Sequence, residues 1–322
     1  AKLGKSAWWQ SRGGLVFANS TIRSPLPLFN GLPSALCNLA LYPDLCQPFI
    51  AAKGRGVSPT NRNSHVSAGL PISNGSIDSA NGVGGYYSQN PVASNANVQN
   101  ANAVQDFPSY AELNQTFDTA KVNTIGSGDS IAGKLGSLGS AIIYDSDDTK
   151  PVYIFRSASG KIIDLGLNQI TINGAKVIVL VEGDLTISNT NLVRRISVNK
   201  DTQSFLMFVV SGNIYLDKTL GLSTFDGQDP LIEGIYLAYD KLIVQSNDAS
   251  SATPADKKFV GDGSFIGLGG VELQRKFDRP DDPISNEDNA KSPIEQFNFR
   301  PDFVVNAPDA LKQPGLTWAE IN

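Results

Sequence analysis

Four segments of the chain share one pattern at an almost fixed spacing. They are Val177–Ile187 (VIVLVEGDLTI), Leu206–Leu216 (LMFVVSGNIYL), Ile235–Val244 (IYLAYDKLIV) and Phe265–Leu273 (FIGLGGVEL). Each runs from an apolar stretch, through a turn-forming or polar pair, into a short alternating stretch. The pairs are Gly183-Asp184, Gly212-Asn213, Asp240-Lys241 and Gly269-Gly270, and their second members lie 29, 28 and 29 residues apart. Beyond the pair the segments superpose position by position. Leu185, Ile214, Leu242 and Val271 form one column, and Ile187, Leu216, Val244 and Leu273 form another.

A fixed period in this range marks a repeat architecture. One coil of two or three strands cannot bury its own apolar face. Stacked coils give each strand a parallel neighbour about 4.8 Å away and pile equivalent apolar positions inside. The expectation is therefore a mainly β chain, a parallel β-solenoid (β-helix) with coils of about 29 residues. A β-sandwich would repeat its strand signals every 8–12 residues or so without this register. An α/β sheet would need helices between the strands, and the sequence offers none there. Gly and Asn in the pairs suit corners, where positive φ is tolerated.

The rest of the chain divides around this repeat. Residues 1–105 read as N-terminal strands, a cysteine loop and an Asn/Ser-rich segment; 106–128 as a helix and linker; 129–276 as the solenoid; 277–322 as an irregular C-terminal cap. All four are expected to form one continuous unit. Trp8 and Trp9 open a strand–turn–strand pattern ended by prolines. Adjacent tryptophans more often cap a core or fill an interface than form a ligand platform. Cys37 and Cys46 read as one loop-closing disulfide if the chain is secreted, or otherwise as two unpaired small apolar residues. Between residues 64 and 105 Asp78 is the only full charge. Ordering so many Asn and Ser residues costs about 1–2 kcal/mol of backbone entropy each, which a neighbouring sheet or second subunit would help to offset. Ser109 and Glu112 form a capping box, and Tyr110, Leu113, Phe117 and Ala120 follow helical spacing, so a helix is expected over 109–121. In the tail, Val304-Val305 and Trp318 would fold back on the last turn.

Composition excludes some functions. A net charge of −5 without a basic stripe disfavours nucleic acid as a partner. No apolar run approaches the 18 or so residues of a membrane-spanning helix. The first residue, Ala1, reads either as the mature end left by a removed leader or as a chosen boundary.

Catalytic chemistry is hard to assemble. A Ser or Cys nucleophile needs a base, and the only histidine, His65, sits in the Asn/Ser-rich stretch, where it reads as a loop residue. No nucleophile elbow, Walker loop or dinucleotide fingerprint stands in its required context; Gly133–Gly139 lacks the strand–loop–helix setting. Asp145, Asp147 and Asp148 read as a solvated loop or a weak Ca²⁺ site, without the Gly and final Glu of an EF-hand. Asp278, Asp281 and Asp282 read the same way. Either cluster would have to bring two carboxylates roughly 5–9 Å apart to cleave a glycan. Arg194, Arg195 and Lys200 lie between two repeats, where corner charges are usually solvated, although an acidic glycan would suit them. No cofactor is expected beyond that weak Ca²⁺ site.

Several elements resemble one group of proteins. WWQ-x-x-GG at 8–14, SYAELNQTF at 109–117, VEGDLTI at 181–187, GGVELQR at 269–275 and FRPDFVVNAP at 299–308 are similar to large secreted surface proteins of the ultrasmall candidate phyla radiation bacteria (Patescibacteria). In those the corresponding region looks like a C-terminal β-solenoid module behind a signal peptide and other extracellular domains. The resemblance covers most of the chain and is weakest across 36–105. It implies an extracellular or cell-surface location and a solenoid fold rather than a particular biochemistry. The Gly183–Ile187 element also resembles β-solenoid parts of pilus-assembly-associated proteins. Three readings follow: a structural surface or filament subunit that self-associates or joins other surface proteins, an adhesin or glycan-binding module, and a polysaccharide-cleaving enzyme. The first is favoured, with no catalytic residues assigned.

Overall fold

The structure, a computed structural model, describes the backbone of residues 9–12, 16–18 and 71–73, and residues 109–191, 193–222, 224, 227–247, 256–275 and 294–311 with their side chains. These residues form a mainly β protein with parallel sheets and three short helices. In chain order the strands are β1 (Trp9–Arg12), β2 (Val16–Ala18), β3 (Pro71–Ser73), β4 (Asn123–Ile125), β5 (Val152–Ser157), β6 (Lys161–Asp164), β7 (Ile170–Ile172), β8 (Lys176–Val181) and β9 (Leu185–Ser188). They continue with β10 (Ile196–Val198), β11 (Phe205–Val210), β12 (Ile214–Leu216), β13 (Ile232–Ala238), β14 (Lys241–Val244), β15 (Phe259–Gly267), β16 (Gly270–Leu273) and β17 (Glu295–Asn298). The helices are α1 (Tyr110–Gln115), α2 (Ile131–Leu135) and α3 (Asp302–Val305).

The chain passes from one parallel sheet to another and back, advancing one strand each time. A large 10-stranded sheet runs β1-β17-β15-β13-β11-β8-β5-β4, with β7 and β10 beside it, and a 5-stranded sheet runs β16-β14-β12-β9-β6. In the smaller sheet Leu185 pairs with Ile214, Ile214 with Leu242 and Leu242 with Val271; Ile187, Leu216, Val244 and Leu273 pair likewise. Both apolar columns are thus ladder neighbours. The ladder begins one strand earlier, with β6, which pairs Lys161 with Leu185 and Ile163 with Ile187 at a spacing of 24 residues. Another rung crosses β7, β10, β13, β15, β17 and β1 through Ile170, Ile196, Ile232, Gly261, Phe297 and Ser11.

The turn pairs between the two sheets are corners that hold one another. Asp184 Oδ1 accepts the Asn213 amide hydrogen at 2.7 Å, and Asn213 Oδ1 accepts that of Lys241 at 3.1 Å. Only part of the expected glycine logic applies. Gly183 does adopt positive φ, at 89°. Gly212 instead answers to crowding, because a Cβ there would stand 2.9 Å from the Gly183 carbonyl of the preceding turn pair.

Side chains of β8 and β11 are buried on both faces of the large sheet. Phe208 and Phe205 are an odd number of positions apart, so they leave opposite faces. Phe208 stacks on Tyr236, and Tyr236 on Phe265, at centroid distances of 5.4 and 5.1 Å. Phe205 meets the Phe303 ring of α3 edge-on at 6.2 Å. The segment 300–311 is therefore a strap along the sheet flank, where the sequence suggested a cap. Arg300 donates to Val198 O and Glu233 Oε2, and the Asp309 amide donates to Asp148 Oδ2. Trp318 lies outside the described residues.

The helix expected over 109–121 is shorter. Its capping box is present: Ser109 Oγ accepts the Glu112 amide hydrogen at 3.2 Å, and Glu112 Oε2 accepts the Ser109 amide hydrogen at 2.7 Å. It ends at Gln115, because Asp118 caps a separate 3-10 turn over Thr119–Lys121. Phe117 turns inward onto the Tyr144 ring, and Ala120 stays exposed.

Candidate functional site

The two ends of the ladders differ. At the β4 end, Ile131, Ala132 and Leu135 of α2 are buried in the core. The first member of the inner column is Lys161, whose Nζ donates to the carbonyls of Gly126 at 2.5 Å and Ser127 at 3.3 Å. A lysine there lets the apolar stack finish in a polar group satisfied by the cap.

At the other end the same column finishes at Val271, which is 40 % exposed, while Leu185, Ile214 and Leu242 are fully buried. Among the described residues, β16 pairs only with β14, so its outer edge has no ladder partner. The large sheet continues one step further into β17 and a second into β1. Glu295 and Gln296 of β17 are 2 % and 1 % exposed, and Gln296 Oε1 accepts no hydrogen bond among the described residues. Asn298 Nδ2 donates to Asp262 Oδ1 at 2.7 Å. The register sets Gln10 beside Gln296 and Arg12 beside Asn298. This stepped end, with one edge open and one extended, is the candidate functional site.

Buried charge fixes that end internally. The guanidinium of Arg275 donates to the carbonyls of Asp217, Leu220, Gln245 and Lys257 at 2.7–3.0 Å. Its amide donates to Glu295 Oε1 at 3.1 Å. Burial lowers Arg275 to about 10, against the pull of the Glu295, Asp256 and Asp217 carboxylates. Burial raises Glu295 to about 8, against the Arg275 amide and charge. The folded state therefore keeps a proton on Glu295 that the unfolded chain releases near its ordinary value of 4.5, so this group's share of stability falls as pH rises from about 4.5 to about 8. Glu295→Gln will remove that fall. Urea titrations should find the variant close to the parent at pH 5 and more stable at pH 8, by an amount growing at up to ~1.4 kcal/mol per pH unit. Equal pH slopes in both proteins would show that Glu295 is ionised in the fold.

The other residues singled out from sequence take these places. Asp145, Asp147 and Asp148 are not gathered on one point, and no group of three or more His, Cys, Asp or Glu suited to a metal occurs among the described residues. Asp148 turns inward to Lys176 Nζ at 2.5 Å, and Asp145 Oδ1 accepts the Asp147 amide hydrogen. The expected Ca²⁺ site thus loses one carboxylate to a buried ammonium. Arg194 donates to the carbonyls of Gly166 and Leu167, and Arg195 to Pro230 O at 3.0 Å, so both tie segments 27–35 residues apart in the chain. Lys200 opens an exposed 3-10 turn. Trp9 heads β1 opposite Glu295. Trp8, Cys37, Cys46, His65, Asp278, Asp281 and Asp282 lie outside the described residues.

Sequence reasoning missed Arg275, Arg300 and Lys176. The available signal was a lone basic residue at the border of an apolar strand. Apart from Asp302, which takes two hydrogen bonds from Arg300, their partners lie far away in sequence. Among the described residues no helix is long and apolar enough to cross a membrane. Comparison with models of known families, with curated proteins and with solved structures gives no match.

Proposed function

We propose that this chain is a structural module: a parallel β-solenoid with coils of about 29 residues, working outside the cell as a subunit of a surface layer or filament. One observation carries the reading. The apolar column of the smaller sheet is closed at one end by Lys161 and its carbonyl partners, and is left partly exposed at the other by Val271. Monomeric β proteins blunt or cover such edges, because unpaired strand edges add further strands. An edge with no ladder partner among the described residues, beside a buried aromatic core, suits a subunit that continues into a neighbour. The large buried cations also serve construction. Arg275, Arg300 and Lys176 bond to backbone carbonyls or carboxylates of other coils. The resemblance to secreted surface modules points the same way.

Electron microscopy of the purified chain at high concentration tests this. Elongated assemblies are expected, and oriented samples should diffract at about 4.8 Å along the long axis, the spacing of strands stacked across it. Monodisperse monomers at every concentration would sink the subunit reading. A dominant 4.8 Å repeat across the axis instead would remove the solenoid geometry.

A further inference from the structure

One strand of the large sheet is out of place. From β4 to β17 the path follows chain order: β4, β5, β8, β11, β13, β15, β17. The exception is β1, first in the chain but last in the sheet, beyond β17. It therefore stands seven strand positions from β4, the next strand of that sheet in the chain, or ~34 Å at about 4.8 Å per step.

Every pairing along this path is parallel. A second copy can thus be shifted along the ladder, without reversal, until its β4 end meets the β17 end of the first. In that arrangement the slot beyond β17 of the first copy lies next to β4 of the second. A β1 strand lying close to its own β4 would fill it. The sheet would then read β15, β17, then β1, β4, β5 of the neighbour, in chain order and with every strand parallel.

We propose that Trp9–Arg12 of one copy is the closing strand of the next copy's large sheet, donated head to tail. The inference deepens the subunit reading and rests on it. The slot is selective for this strand. Gln296 is buried, its Oε1 accepts no hydrogen bond among the described residues, and the register sets Gln10 beside it. Asp262 and Asn298 are hydrogen-bonded ladder neighbours, and the register sets Arg12 next in that line, beyond Asn298. Main-chain hydrogen bonds of an added strand supply affinity, and such side-chain matches supply choice. A contact that repeats by translation does not close on itself, so it builds a filament.

Paired cysteines decide between donation and self-pairing. Arg12→Cys with Asn298→Cys places two thiols on ladder neighbours, within reach of a disulfide. Cys37 and Cys46 are first changed to Ser, and circular dichroism checks the fold. Gln10→Cys with Gln296→Cys provides a second pair should the first fail to fold. After oxidation, a denaturing gel without reductant should show covalent multimers at integer multiples of the chain, collapsing to one band with reductant. A disulfide closed within single chains overturns the donation. So does a full count of free thiols, because the strand would then not lie beside β17 in any copy. Microscopy of the same samples separates the two ideas. Filaments built from internally closed chains would overturn strand donation alone, and internally closed chains that stay monomeric would overturn the subunit reading as well.

Discussion

Replacing Lys176 by Met will destabilise the fold by about 3–5 kcal/mol, the cost of leaving a buried charge without its partner. The Lys176 and Asp148 side chains are 2 % and 1 % exposed, and they meet at 2.5 Å. Burial alone would raise the Asp148 carboxyl, but the Lys176 ammonium, the Asp309 amide and the Thr149 amide and hydroxyl outweigh it and hold the group at about 2. Its contribution is present above its ordinary value of 3.8 and is lost as pH falls toward about 2. In the variant the carboxylate keeps its desolvation cost and loses the ammonium. Adding Asp148→Leu to Lys176→Met should restore most of the loss, since apolar pairs often replace buried ion pairs at little cost. Guanidinium titration at pH 7 reads both effects. A loss under 1 kcal/mol in the single variant would mean that water reaches the pair.

Cutting the aromatic column has a cost of the same size. Tyr236 is fully buried between Phe208 and Phe265, with both ring planes within 11° of its own. Tyr236→Ala removes the middle ring of the stack and should cost about 3–5 kcal/mol. Tyr236→Phe keeps the ring and loses only the hydroxyl bond to Glu233 O at 3.2 Å, so about 1 kcal/mol is expected. Val304→Ala, on the exposed side of α3, should stay within ~0.5 kcal/mol. Thermal and urea unfolding together rank the three. If Tyr236→Phe proved as costly as Tyr236→Ala, the hydroxyl would be holding the fold rather than the stack.

Legibility of the fold in sequence followed the regularity of its corners. The turns at Gly183-Asp184, Gly212-Asn213 and Asp240-Lys241 are tight and hydrogen-bonded to one another, so the strands after them keep a spacing of 28 or 29 residues and their columns can be aligned by eye. The rung through Ile170, Ile196, Ile232, Gly261 and Phe297 advances by 26, 36, 29 and 36 residues. Loops of unequal length absorb the difference, which leaves no period to read. The β6 strand hid for the same reason, and because Lys161 stands where the column is otherwise apolar. The pairing of Trp9–Arg12 with Glu295–Asn298 joins opposite ends of the chain, and one sequence carries no local trace of such a contact. Charges were misjudged by the usual rule that they face water. Asp148, Arg194 and Arg195 each bond to groups distant in the chain.

The strap formed by residues 300–311 has a mechanical consequence. Hydrogen bonds between parallel strands run along the stacking direction, so tension in that direction loads the ladders in series and peels the weakest junction first. Arg300 is anchored at Val198 and Glu233, Phe303 at Phe205 and Asp309 at Asp148, which places one continuous segment across several junctions. Stretching the stack must then tear these lateral ties together with the junctions they bridge. The fold is stiffened against elongation in the way a splint stiffens a column of stacked discs.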